Sequence, residues 1–119
     1  MSELQTAPKA ITAAPLSVPL VLVADADHES RTRRARELQA RGFRVTIART
    51  AFETIVKASC HMPDLILVDV SLGATDVRET TELLAMCPAT AHIPIIRLTP
   101  GRRIPARIAG APRRAAPRC

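Results

Sequence analysis

Two runs of consecutive apolar residues, each followed by an aspartate, constrain the fold of this chain more than any other feature. The first run, Leu20–Ala24, leads into Asp25, and the second, Leu65–Val68, leads into Asp69. A half-exposed strand alternates apolar and polar side chains, whereas a strand with both faces covered is apolar throughout. Both runs are therefore predicted to be inner strands of a parallel sheet with helices on its two faces.

Shorter patterns between and after these runs complete an alternation of strands and helices. Alternating apolar residues around Val45 predict a half-buried strand, and Gly42 is predicted to stop the helix before it. The predicted helices cover residues 29–41, 51–60 and 76–86, and the predicted fourth strand covers residues 94–98. The order β-α-β-α-β-α-β with short connections is typical of a doubly wound α/β sheet.

Composition divides the 119 residues into one domain and two flanking segments. Residues 1–18, a mixture of Pro, Ala, Thr and Ser, are predicted to be a flexible leader, and residues 19–100 to be the folded domain. Residues 101–119 contain six arginines and no acid, so the net charge of +6 belongs to this segment. We expect this Arg-, Pro- and Ala-rich tail to be disordered and to bind nucleic acid at most non-specifically.

Cysteine content and hydropathy favour a cytoplasmic protein. The three cysteines form no C-x-x-C pair, which is typical of a reducing compartment. The apolar stretch before Asp25 is interrupted by Pro15 and Pro19 and follows the acidic Glu3, which argues against a secretion signal. No run is long enough for a transmembrane helix, so no membrane partner is expected.

The positions of Asp25 and Asp69 predict a binding site. In open parallel sheets, sites form beyond the carboxyl ends of strands, where the winding direction reverses. If the first and third strands are neighbours there, the two carboxylates share one crevice, with Asp27 on the loop above it. Clustered carboxylates repel each other unless a cation lies among them, and oxygen ligands of this kind suit Mg²⁺. The alternative is that each aspartate only ends its strand, as a turn or helix-cap residue.

The spacing of four segments resembles that of response-regulator receiver domains. The segments are Val21–Asp27, Gly42, Pro63–Asp69 and Ile95–Thr99, and the resemblance extends from about residue 19 to residue 100. It implies a flavodoxin-like α/β fold, a doubly wound parallel sheet with strand order 2-1-3-4-5.

The same resemblance implies a role for individual residues. Asp69 would be the phosphoacceptor, and Asp25 would help to hold Mg²⁺ together with Asp69 and the backbone carbonyl of Ser71. Asp27 would be a weaker metal ligand. Thr99 would supply the hydroxyl that turns toward the phosphoryl group. In that mechanism a positioned carboxylate is the nucleophile, and the metal neutralises charge on the phosphoryl oxygens.

The sequence departs from the receiver pattern at several positions. Ala26 replaces the second of two consecutive acids, so the resemblance implies only weak Mg²⁺ binding. The lysine that ends the fifth strand of the family falls at Pro117, and the fifth strand and last helix are missing or degenerate. Ser30, Arg33 and Arg34 lie where the family buries aliphatic residues. We expect the arginines of this helix to be solvated: Arg31, Arg33, Arg34 and Arg36.

Besides a nucleic-acid binder that acts through the basic tail, two functional hypotheses stay open. The first is a phosphoacceptor module in a two-component phosphorelay, acted on by a sensor histidine kinase or a phosphotransfer protein, and not an enzyme with its own turnover. The second is a degenerate interaction module that is not phosphorylated, or a truncated or frameshifted remnant. A frameshift would explain the tail, because a GC-rich gene read out of frame gives an Arg-, Pro- and Ala-rich sequence without periodicity.

The predicted fourth strand would lie at an edge of the sheet. In the order 2-1-3-4-5 this strand is normally flanked by the third and the fifth. Residues 94–98 carry a single charge, on Arg97. Without a fifth strand their outer backbone groups are unpaired, and exposed apolar edges recruit other chains. We therefore expect the chain to form a homodimer through this edge or to aggregate.

Overall fold

Strands and helices alternate along the chain in the predicted order. The computed structural model describes residues 18–100, 102–106 and 108. Every predicted element is present, and each of its ends lies within two residues of the prediction. The elements are β1 (Leu20–Ala24), α1 (His28–Ala40), β2 (Arg44–Ala48), α2 (Ala51–His61), β3 (Leu65–Asp69), a 3₁₀ turn (Val70–Leu72), α3 (Ala74–Met86) and β4 (Ile95–Leu98).

Several sequence predictions concern residues that lie outside these described ranges. They include the flexible leader up to residue 17, most of the basic tail, and Pro117 at the expected lysine position. Within the described ranges, no helix is both long enough and apolar enough to cross a membrane.

The four strands form one parallel sheet in the order β2-β1-β3-β4. β1 lies between two partners, with Val23 opposite Ile47 of β2 on one side and Leu67 of β3 on the other. The predicted α/β class and the first four positions of the order 2-1-3-4-5 are confirmed. Among residues 99–100, 102–106 and 108, no further strand follows β4, which is therefore an edge of the described sheet.

Polar side chains fix where the first two helices begin. Asp27 caps α1 by accepting the Ser30 backbone N–H over 2.8 Å, and Thr50 caps α2 by accepting that of Glu53 over 3.0 Å. The backbone N–H of Arg49 in turn donates to the Glu53 carboxylate over 2.8 Å and lowers the pKa of Glu53. Each cap satisfies a helix N–H that has no partner inside the helix.

Alternate side chains of the two inner strands build two separate cores. Leu22 and Ile66 point to the face that is covered by α2 and α3, where they pack with Ala58 and Leu84. The opposite face carries α1, which contributes Leu38 as its buried aliphatic side chain. The other residues that α1 buries are polar or charged, so this second core has less apolar cover than the first.

The first part of the basic tail supplies the missing cover. Ile104, which is 3% exposed, and Ile108 are buried in the second core together with Leu98. Arg41, just after α1, donates to the carbonyl oxygen of Pro105 over 2.8 Å. Residues 102–106 and 108, here called the tail segment, therefore pack against the sheet, while the disorder expected of the basic tail stays a prediction. The physical reason is the removal of apolar surface from water on a face that α1 leaves partly open.

This packing predicts that Ile104→Ala destabilises the protein. Removing a buried isoleucine side chain should lower the free energy of unfolding by about 2–4 kcal/mol. The matched control is Phe52→Ala, because Phe52 is 75% exposed and its removal should change the free energy by less than about 0.5 kcal/mol. Urea unfolding followed by circular dichroism measures both. Equal stability of the two variants would mean that the tail segment does not pack on the sheet.

Candidate functional site

Two buried aspartates face each other at the carboxyl edge of the sheet. Asp25 directly follows β1 and Asp69 is the last residue of β3, and these strands are neighbours. The side chains are 0% and 1% exposed, respectively. The structure therefore brings together the two residues that the sequence placed in one crevice, and both are withdrawn from solvent. Burial of a carboxylate is costly unless a cation and hydrogen-bond donors compensate for the lost water.

Arg34 provides that compensation. Its guanidinium is 3% exposed, and Nη1 lies 3.3 Å from Oδ2 of Asp25 while it also donates to Oδ2 of Asp69. Its second terminal nitrogen, Nη2, donates to the carbonyl oxygens of Thr99, over 3.2 Å, and Arg102, over 3.0 Å. One side chain of α1 thus joins the ends of β1 and β3 to the chain that follows β4.

A second arginine of α1 also points inward. Nη1 of Arg31 donates to the backbone carbonyl oxygen of Asp25 over 3.0 Å, and the residue is 6% exposed. The prediction that the arginines of this helix are solvated is wrong for Arg31 and Arg34, although Arg33 and Arg36 are exposed. Residues three apart lie on the same side of a helix, and this side of α1 faces the two carboxylates. The buried group consequently contains two negative and two positive side chains.

Uncharged hydrogen-bond donors satisfy the remaining oxygens of the two carboxylates. Oδ1 of Asp25 accepts the Ser71 hydroxyl and the Asp27 backbone N–H, each over 3.0 Å, and its Oδ2 accepts the Ser30 hydroxyl. Oδ1 of Asp69 accepts the Ser71 backbone N–H over 2.7 Å. With Arg34 on both Oδ2 atoms, all four carboxylate oxygens accept at least one hydrogen bond from the protein.

The remaining predicted site residues lie nearby but make other contacts. The Asp27 carboxylate caps α1 and does not reach between the two buried aspartates. Thr99 is exposed, and its carbonyl oxygen accepts a bond from Arg34. Ser71 contacts both aspartates, through its hydroxyl and its N–H. The sequence reasoning missed Arg34 as a site residue, although an arginine at a position expected to be aliphatic was the available signal.

The crevice as it stands does not fit Mg²⁺. A magnesium ion needs several free oxygens in near-octahedral arrangement, whereas the oxygens of Asp25 and Asp69 already accept bonds from the protein and a guanidinium lies between them. Ala26 contributes no side-chain oxygen. In the part of the chain that the structure describes, no group of three or more His, Cys, Asp or Glu residues is arranged to hold a metal ion.

Comparison with solved structures finds response regulators. The N-terminal domain of a response regulator receiver protein from Methanoculleus marisnigri JR1 is 29% identical with a TM-score of 0.65, and the match covers 73% of this chain and 71% of that one. The chemotaxis response regulator CheY4 of Vibrio cholerae is 22% identical with a TM-score of 0.64, and the match covers 82% and 77% of the two chains.

A third solved structure carries a modified aspartate. It is a response regulator protein from Burkholderia pseudomallei, solved with a phosphorylated aspartic acid, a calcium ion and citrate. It is 28% identical with a TM-score of 0.57, and the match covers 68% of this chain and 46% of that one. No family model matches the sequence, and no curated protein matches it either. The predicted resemblance to receiver domains, with their flavodoxin-like fold, is confirmed.

The geometry predicts a large effect of Arg34 on stability. Arg34→Met should lower the free energy of unfolding by about 3 kcal/mol or more, because it leaves two buried carboxylates without their shared cation. Arg33→Met, at an exposed neighbouring position, is the control and should change the free energy by less than about 0.5 kcal/mol. Urea unfolding at neutral pH measures the difference. Similar stabilities would show that the Arg34 side chain is solvated after all.

Proposed function

We propose that this chain is a receiver-like module of two-component signalling that acts through protein contacts, with Asp69 held in an ion pair rather than serving as a phosphoacceptor. The observation that carries the proposal is the hydrogen bond from Arg34 to Oδ2 of Asp69 at a buried position. The receiver fold supports the assignment to two-component signalling.

The state of Asp69 argues against efficient phosphoryl transfer. An attacking carboxylate needs a free oxygen in line with the phosphorus, and charge on the transferred group must be neutralised. Here Oδ2 of Asp69 is bonded to Arg34, and Oδ1 is bonded to the Ser71 N–H. Reaction would first require the guanidinium to leave, which would also break its bonds to the carbonyl oxygens of Thr99 and Arg102.

The second candidate function is that of a phosphoacceptor. In it, a sensor histidine kinase or a phosphotransfer protein transfers a phosphoryl group to Asp69, and Thr99 contacts that group. Support comes from the position of Asp69 at the carboxyl end of β3 beside Asp25, and from similarity to a response regulator solved with a phosphorylated aspartic acid. This candidate requires Arg34 to swing out when the phosphodonor binds.

The two candidates differ in a labelling experiment. We predict that the wild-type chain, incubated with acetyl phosphate and Mg²⁺, gains no phosphoryl group in its intact mass, because Arg34 blocks the nucleophile. Asp69→Asn is the control and should give the same spectrum. A wild type that gains one phosphoryl group, together with an unlabelled Asp69→Asn variant, would establish the second candidate and overturn the first.

Self-association through β4 is a further part of the proposal. The Ile66 N–H bonds to the Pro94 carbonyl oxygen, and Ile66 is opposite Ile95 in the ladder. In a parallel pair this places the backbone groups of Ile95 and Arg97 on the outer side of β4. Within the described residues, no strand covers that side.

This edge predicts a concentration-dependent dimer. Arg97→Pro removes one outward N–H without removing a bond to β3, so it should weaken association. Sedimentation velocity over a concentration series compares this variant with the wild type. A wild type that stays monomeric at the highest concentration would exclude dimerisation through β4.

A further inference from the structure

We propose that Arg34 is a resident cation of the crevice: its guanidinium takes the place between Asp25 and Asp69 that a divalent metal would otherwise occupy, so that removing the side chain creates a metal site. This inference deepens the proposed function. It rests on that function in one respect, namely that the Asp69 carboxylate lies paired with Arg34. Its support comes from charge, from hydrogen bonding and from the way the side chain is anchored.

The first support is the charge of the buried group. Asp25 and Asp69 contribute two negative charges, and Arg31 and Arg34 contribute two positive charges, all at positions less than a tenth exposed. The group is therefore neutral. A divalent ion added to it would leave two positive charges in excess among side chains that water cannot screen, which disfavours binding.

The second support is the number of acceptors that Arg34 satisfies. Nη1 reaches both Oδ2 atoms, at 3.3 Å from Asp25 and in hydrogen bond with Asp69, and Nη2 reaches two backbone carbonyl oxygens. Arginine suits this task because its planar group presents several donors in a fixed arrangement and stays protonated at any ordinary pH. Departure of the guanidinium would leave four acceptors without this donor, so a weakly bound metal cannot displace it.

The third support is that the oxygens would suit a metal once Arg34 is gone. Two carboxylates from adjacent strand ends would then face each other. Oδ2 of Asp69 would have no other donor among the described residues, and Oδ2 of Asp25 would keep only the hydrogen bond from the Ser30 hydroxyl. Such a pair attracts hard divalent cations such as Mg²⁺ and Mn²⁺. Ala26, next to Asp25, is a position where a third carboxylate can be added.

Thermal unfolding with and without Mg²⁺ tests the inference. A ligand that binds only the folded state raises the midpoint temperature as its concentration rises. We expect no such rise for the wild type at millimolar Mg²⁺. Arg34→Met should melt lower than the wild type without metal and should regain midpoint temperature with increasing Mg²⁺. Arg34→Lys, which keeps a positive charge, should respond much less than Arg34→Met.

Two further variants locate the effect and guard against a misfolded protein. Adding Ala26→Asp to Arg34→Met should increase Mg²⁺ affinity at least about tenfold, because a third carboxylate joins the site. Adding Asp69→Asn to Arg34→Met should abolish the response. If Arg34→Met does not fold at all without metal, its folding on addition of Mg²⁺ gives the same answer. The inference would be overturned if neither Arg34→Met nor Arg34→Met combined with Ala26→Asp responds to Mg²⁺.

The wild-type protein separates this inference from the proposed function. Binding of Mn²⁺ can be measured by the paramagnetic relaxation of water protons. If the wild type binds Mn²⁺ saturably and Asp69→Asn does not, the resident-cation inference is overturned, even if Asp69 is never phosphorylated. Phosphorylation of wild-type Asp69 by acetyl phosphate would overturn the proposed function, whereas the resident-cation inference is overturned by metal binding to the unphosphorylated wild type.

Discussion

The burial of two carboxylates at the ends of adjacent parallel strands is the constraint on which the rest of this structure depends. Asp25 and Asp69 are inside the protein, where an unpaired carboxylate is unstable. The chain meets this requirement with its own cation, Arg34, and not through exposure to water. Breaking such a buried pair by removing one partner is far more costly than losing a surface ion pair.

That solution has consequences for the packing of α1. The side of the helix that faces the sheet carries Ser30, Arg31 and Arg34 near the crevice, and Leu38 farther along. Polar residues in these positions leave one face of the sheet short of apolar cover. Ile104 and Ile108 of the tail segment cover the part of that face that α1 leaves open. Arg34 also anchors the start of the tail segment through its hydrogen bond to the Arg102 carbonyl oxygen. Crevice and tail segment are thus linked by a single side chain.

The sequence predicted the elements whose pattern is local and failed where long-range charge pairing decides the packing. Continuous apolar runs identified β1 and β3, and the aspartates after them identified the crevice. The inward direction of Arg34 was not predicted, because a charged residue on a helix is expected to be solvated unless a buried partner is known. Ser30, Arg34 and Leu38 recur every four residues, which in hindsight places the two polar residues on the same inward side as the leucine. Ile104 lies in a segment without periodicity, so no pattern indicated its burial.

The most direct test of the resident cation is a crystal structure of the wild-type chain grown with millimolar Mn²⁺, with anomalous diffraction recorded to locate the metal. We expect the Arg34 guanidinium to lie between Asp25 and Asp69, hydrogen-bonded to the carbonyl oxygen of Thr99, with no anomalous peak in the crevice. A Mn²⁺ ion coordinated by both aspartates, with Arg34 turned out to solvent, would contradict the resident cation.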